Sequence, residues 1–236
     1  MANGRLTFYG HAFFSITTAT QKVILIDPWV VENPLCPITL DDLERADLVL
    51  VTHDHFDHVG QTGEILRKTG ATLVANVETA SRIMRDEQIP QTQVLNGGFG
   101  LNIGATAPVD GVEITMTQAF HSSGTGAPTG YIVRLENGWS IYHAGDTGLF
   151  ESMGTLGRTH GIDMALLPIG NVFTMDPVQA VAAVGLIRPK VVVPMHYQSF
   201  PILTPSADGF VKELGRVHPG VRVLPLKPGE GVDLNF

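Results

Sequence analysis

Apolar residues in this chain fall into short runs punctuated by Gly, Pro and polar clusters, a pattern that predicts strands and helices in alternation. Residues 5–27 read as a β-meander. RLTFYG, AFFSITT and KVILID have strand composition, and Gly10-His11 and the polar residues 19–21 separate them. Thr39 and Asp42 resemble a capping box opening a short helix. Residues 47–51 form a brief apolar run rich in β-branched side chains, which predicts a buried strand. A helix over 61–69 stopping at Gly70, a strand over 71–75 and a helix over 77–87 follow. Residues 96–111 suggest only turns and short strands, and further strands are expected at 111–117, 130–135, 139–142, 163–167 and 189–194. Asp176, Pro177 and Gln179 have the form of a helix start: a cap, a proline at the first helical position and a side chain reaching back. A helix and a final strand are expected after Leu203. This alternation predicts a layered α/β architecture.

Composition adds bounds. A length of 236 residues suits one large domain, and 44% hydrophobic with 16% charged residues describes a well-packed globule. No apolar run approaches the roughly 20 residues of a membrane span, and no basic segment followed by an apolar core opens the chain. A soluble cytoplasmic protein is the expectation. The single cysteine, Cys36, excludes an internal disulfide, suits a reducing compartment and, among prolines, reads as structural. A formal charge of −8 without a Lys/Arg cluster argues against a nucleic-acid footprint, which rests on neutralising phosphates. It leaves room for a small anionic substrate, because two divalent cations would dominate their own pocket.

The chemistry concentrates in THDHFDH, residues 52–58, directly after the predicted strand at 47–51. Ligand sites in α/β sheets collect beyond the carboxyl ends of strands. Alternate residues of an extended chain share a face, so His53 and His55 can reach one point. Asp57 and His58, after the chain turns, can aim at a second. Two imidazoles for one cation, and a carboxylate with an imidazole for its neighbour, begin a two-metal site. His121 follows a strand end in a small-residue loop free to flex over substrate, and supplies the first point with a third imidazole. Asp146, after a strand and a glycine, has two oxygens and can bridge two cations roughly 3.5–4 Å apart. His196, at the end of the strand expected at 189–194, completes the second point.

The H-x-H-x-D-H pattern resembles the metallo-β-lactamase-fold superfamily. Asp27, His121, Gly145 to Thr147 and His196 follow in that superfamily's order, so the resemblance covers nearly the whole chain. GHAFFSI, TMDPVQA and VVVPMHY look most like a branch of small metal-dependent hydrolases related to ascorbate-6-phosphate lactonases. The resemblance implies a single domain over 1–236 of the α/β (α+β, four-layer) class, an αβ/βα sandwich. It also implies that Asp27 orients a metal-bound His, a role that stands beside the plainer reading of a turn-starting Asp before Pro28. His11 suits a satisfied turn histidine better than one facing the site. His143 reads as a neighbour of the ligands, Tyr197 as packing, Asp176 as a cap, and His160 and His218 as surface residues.

The expected centre therefore joins His53, His55 and His121 at one cation and Asp57, His58 and His196 at the other, with Asp146 shared. Nitrogen and oxygen donors suit Zn²⁺ first, and Mn²⁺ or Fe²⁺ as well. The expected reaction is attack of a metal-bridging hydroxide on a small ester or lactone, with Asp57 shuttling the proton as the resemblance implies. Asp57 and Asp146 are thus the catalytic candidates. A small-molecule phosphodiesterase is the alternative enzyme, and a non-catalytic metal or ligand sensor the alternative class. Flavodiiron oxidoreductases on this fold present Glu where this chain has His55, and zinc β-lactamases of the commonest type use a Cys ligand that Cys36 is misplaced to supply. The related lactonases make a homo-oligomer an expectation.

Overall fold

The computed structural model describes residues 4–234. The described residues divide into two compact units, one comprising 4–105, 122–128 and 227–234, the other 106–121 and 129–226.

The first unit is built on a six-stranded sheet. Strands β1 (Arg5–Gly10), β2 (Phe13–Thr17) and β3 (Val23–Ile26) form the expected antiparallel meander. Strands β4 (Leu48–Leu50) and β5 (Thr72–Val74) then add in parallel, and a short C-terminal strand, Gly231–Asp233, pairs with β1 at the other edge. Parallel pairing explains why Leu48, Val49 and Leu50 are all buried: no face of such a strand meets water. Helices α1 (Phe56–Val59), α2 (Thr62–Thr69) and α3 (Val77–Glu87) follow. Gly70 ends α2 in the left-handed conformation, and the Asn76 side chain accepts from the Glu78 N–H to start α3. Phe13, Leu25, Val49, Ile65, Leu66, Leu73 and Ile83 belong to one buried core, each worth about 1.5–3 kcal/mol of transfer free energy. Residues 39–46 hold no helix. Asp42 accepts at 2.8 Å from both the N–H and the hydroxyl of Thr39, closing a turn, and the chain enters β4 before a helix could develop.

The second unit carries a seven-stranded sheet in the order β12-β11-β10-β9-β8-β7-β6. Its strands are β6 (Thr106–Val109), β7 (Val112–Gln118), β8 (Thr129–Arg134), β9 (Ser140–His143), β10 (Met164–Pro168), β11 (Val191–Met195) and β12 (Arg222–Val223). The pairs from β6 to β9 are antiparallel and those from β9 to β12 parallel. Every residue of β10 and β11 is buried. Pro194 is tolerated in β11 because β12 pairs only with Val191 and Val192, so that ladder has ended before the proline. Helix α5 (Pro177–Ile187) starts with the expected capping box at Asp176, with Pro177 in its first turn. Helix α6 (Asp208–Val217) buries Phe210 and Leu214 one turn apart. Helix α4 (Met153–His160) carries no strong sequence signal, since Gly154 and Gly157 lower its propensity.

Among the described residues no helix is long and apolar enough to cross a membrane.

Candidate metal centre

In the first unit, β3 and β4 run parallel with Ile26 opposite Leu50, so Asp27 and the segment after Leu50 leave the sheet together. The Asp27 N–H donates to the Leu50 carbonyl at 2.9 Å. The buried Asp27 carboxylate then gathers that segment: Oδ1 accepts from the Thr52 N–H at 2.8 Å, and Oδ2 from the Thr52 hydroxyl at 2.7 Å. Oδ2 also lies 2.8 Å from His58 Nδ1. With neutral rings, these contacts favour one tautomer for each of two histidines. An ionised carboxylate only accepts, so His58 carries its proton on Nδ1 and presents the lone pair of Nε2. The Thr52 hydroxyl has spent its proton on Asp27, so its oxygen, 3.0 Å from His53 Nδ1, accepts from that ring, which leaves His53 Nε2 as a lone pair too. A carboxylate behind a histidine is the arrangement that orients metal ligands and raises their basicity. Asp27 thus does more than start a turn before Pro28: its carboxylate stands against His58.

Helix α1 turns the chain directly after His55, which keeps extended backbone angles. Gly60 ends it with φ 46°, and a Cβ there would collide with the backbone of Pro28 and Trp29, so only glycine lets this turn sit against the segment that follows Asp27. His53 Nε2 and His55 Nδ1 come within 2.9 Å of each other, as the alternation argument requires. His11, Asp57 and His58 each offer one ligand atom, all within 4.8 Å of one another. His11 thus departs from the turn-histidine reading. Its ring is fully buried, packs edge-on to Trp29 and His58, and places Nε2 3.2 Å from Asp57 Oδ2. The sequence signal was only the Gly10-His11 turn, and Thr52 gave none beyond its place before His53. Three imidazole or carboxylate donors converging without a lysine or arginine among them fit a divalent cation.

Asp54, inside the same motif, does something different. Its nearly buried carboxylate accepts from the Ser123 hydroxyl at 2.8 Å, the Gly124 N–H at 2.6 Å and the Thr125 hydroxyl at 2.6 Å, with Arg82 Nη1 at 3.2 Å. Burial opposes its ionisation, yet the bonds from Thr125, Gly124 and Ser123 and the charge of Arg82 prevail and hold its pKa below the ordinary value. The loop expected to flex over substrate is therefore tied down across 123–125, and the Thr79 hydroxyl adds a bond to the Thr125 carbonyl at 2.9 Å.

In the second unit, β10 lies between β9 and β11, and both neighbours deliver candidate ligand side chains at its carboxyl end. The Ala144 N–H donates to the Leu166 carbonyl and the Ile169 N–H to the Met195 carbonyl, so the turn carrying Asp146 and the residue His196 emerge on either side of β10. The Asp146 Oδ2 atom lies 2.9 Å from His196 Nε2 and 3.6 Å from His121 Nε2. All three side chains are nearly buried. The unit thus assembles two of the expected histidine ligands around the Asp146 carboxylate. His196 has φ 56°, a left-handed conformation that costs roughly 1–3 kcal/mol in a non-glycine residue and concentrates at functional sites. Gly170 makes room for it, since a Cβ at 170 would strike the His196 carbonyl. His143 is buried and its Nδ1 accepts from the Gly145 N–H at 3.1 Å, bracing the turn that presents Asp146.

The remaining candidates fall away from the ligands. Tyr197 is half-buried against the helix–sheet core, and burial followed by the charge of Asp208 pushes its phenol pKa up, as packing would. Cys36 is half-buried, with burial raising its thiol pKa, which disfavours a reactive thiolate. His160 and His218 are half-buried and join no group of metal-ligating side chains among the described residues.

Comparison with known proteins identifies the family. Residues 22–197 match the profile of the β-lactamase superfamily domain. A UPF0173 metal-dependent hydrolase of Nitratidesulfovibrio vulgaris is 47% identical over 231 residues, covering 98% of this chain and 95% of that protein. Its counterpart from Pyrobaculum islandicum is 44% identical over 229 residues, covering 96% of this chain and 98% of its own. The solved structure of Igni18, a metallo hydrolase from Ignicoccus hospitalis, matches with a TM-score of 0.90 and 38% identity over the full length of both chains. The likeness extends to the expected αβ/βα class of fold. The chain belongs to the β-lactamase superfamily, in the family of its UPF0173 metal-dependent hydrolases.

Proposed function

We propose that this protein is a metal-dependent hydrolase that holds two divalent cations through His53, His55, Asp57, His58, His121, Asp146 and His196 and cleaves a small ester or lactone. One observation carries the reading. Asp27 stands against Nδ1 of His58 and Thr52 against Nδ1 of His53, which supports the neutral rings that keep an Nε2 lone pair, the state a metal ligand requires. His11, beside Asp57 and His58, adds an eighth candidate donor. The names of the matching relatives support metal-dependent hydrolysis, and the lactone side of the proposal rests on the sequence resemblance to ascorbate-6-phosphate lactonases.

Bound divalent ions would supply Lewis acidity and lower the pKa of water toward roughly 7. Zn²⁺ fits the mixed imidazole and carboxylate set best, with Mn²⁺ and Fe²⁺ as alternatives. The protein's own part is orientation and proton handling: Asp146 draws His121 and His196 together, and Asp57 takes up the proton that water releases. The partner is a small molecule, anionic substrates included, and the setting a cytoplasmic homo-oligomer.

The test compares metal-replete and chelator-stripped protein on paired panels of lactones or esters and small phosphodiesters. Metal-dependent turnover of lactones or esters supports the proposal. Turnover of phosphodiesters alone moves the substrate class to the rival, and metal binding with silence across both panels favours a sensor.

A further inference from the structure

The Gly-Asp-Thr segment contains one residue to which ligand chemistry gives no part. Thr147 follows Asp146 and is fully buried. Its hydroxyl oxygen accepts from the Phe120 N–H at 2.9 Å while its proton goes to the Gly148 carbonyl at 2.7 Å. The Gly148 N–H in turn donates to the Phe120 carbonyl at 3.0 Å, so both amide groups of Phe120 are clamped to the turn that bears Asp146. The Phe120 ring packs at a tilt against Phe150, which belongs to the buried core of the same unit. The next residue is His121, whose Nε2 stands 3.6 Å from Asp146 Oδ2. The Thr147 carbonyl also accepts from the Met175 N–H at 2.9 Å, tying the turn to the loop after β10.

We infer that Thr147 is a positioning residue whose hydroxyl sets His121 against Asp146. This rests on the proposal that His121 and Asp146 are metal ligands. His121 leaves β7 through two residues outside regular structure, and a single flexible linker of that kind would not hold an imidazole beside a chosen carboxylate. The Thr147 hydroxyl supplies a constraint by fixing the Ala119–Phe120 peptide, one peptide before the Phe120 carbonyl that the Gly148 N–H holds next to His121. Valine, of nearly the same volume, removes this hydroxyl and leaves the Phe120 N–H without its acceptor. Serine keeps both bonds and gives up only a methyl group.

The experiment measures Co²⁺ affinity and the visible spectrum of the Co²⁺-loaded protein, followed by Zn²⁺ competition, in the wild type, Thr147→Val, Thr147→Ser, His121→Ala and Ile187→Val. The last is a core substitution in the same unit that controls for a general loss of stability. We expect Thr147→Val to weaken the binding of one ion about 10-fold or more, the range for partners that orient metal ligands, with an altered spectrum. Thr147→Ser should stay within about threefold of wild type and Ile187→Val should bind as wild type. Wild-type affinity and spectrum in Thr147→Val, with His121→Ala impaired, would overturn the inference and leave the proposed function standing. Equal losses in the serine and valine variants would overturn it as well, by tracing the effect to packing. Unchanged binding in His121→Ala would remove His121 from the ligand set and the inference with it.

Discussion

Removing the Asp54 carboxylate should loosen the 123–125 segment far more than a surface substitution would. Asp54→Ala deletes the acceptor for the Gly124 N–H and for the Ser123 and Thr125 hydroxyls. Bonds to a charged acceptor are worth about 1.5–3 kcal/mol each, but they do not add here. Ser123 can turn fully to the Thr125 carbonyl, already 2.8 Å away, and Thr125 can turn toward the Thr79 hydroxyl. The Gly124 amide has no such side-chain substitute, but Gly124 is exposed and water can take over the bond, so the loss is about the net worth of one hydrogen bond, about 0.5–1.5 kcal/mol. The Arg82 pair adds little, because Arg82 is about a third exposed. The expected total is about 1–3 kcal/mol for alanine. Asparagine, which keeps one oxygen for Gly124, should cost about half of that. Urea unfolding of the metal-stripped protein would give the global figure, and hydrogen exchange at the Gly124 amide the local one. A 2 kcal/mol loss corresponds to roughly 30-fold faster exchange. A Gly124 amide that exchanges in Asp54→Ala as slowly as in wild type, with stability within about 0.5 kcal/mol, would refute the reasoning.

Two further outcomes are expected. Asp27→Asn should weaken Zn²⁺ binding by about 10–100-fold, measured by chelator competition, because it disturbs the proton arrangement on both His53 and His58; wild-type affinity would contradict that arrangement. Asp47, well away from the ligands, is partly buried, which opposes ionisation. Its bonds from Arg45 and the Val23 N–H, with the nearby charges of Arg45 and Lys22, nonetheless hold its pKa below the ordinary carboxylate value. A depressed folded-state pKa contributes stability that is present above the unfolded value of about 3.9 and is lost as pH falls through the folded one. The stability gap between wild type and Asp47→Asn should therefore be constant near neutral pH and narrow below about pH 4; a gap independent of pH would count against it.

Much of this site was legible because its chemistry is local. His53, His55, Asp57 and His58 lie within six residues behind a buried strand, and side-chain alternation alone paired His53 with His55. What depended on strand register was not legible. Asp27 could be a turn residue or a histidine's partner until the parallel pairing of β3 and β4 put it against Thr52 and His58. His11 read as a turn residue because only the folded meander carries it to Asp57. The task of Asp54 was invisible because its partners arrive about seventy residues later in the chain. In the fold, helices with clear caps such as α3 and α5 were expected at their observed starts, whereas glycine-rich α4 was missed and the Thr39–Asp42 pair proved to close a turn.

The central claim is that these histidines and aspartates bind metal in order to hydrolyse a substrate. Its most direct test is elemental analysis of the purified protein, paired with turnover of the ester and lactone panel before and after chelation and after metal is returned. The account predicts about two divalent ions per chain and an activity lost and regained with them. A chain that takes up no divalent metal, or that hydrolyses equally well once stripped, would contradict it.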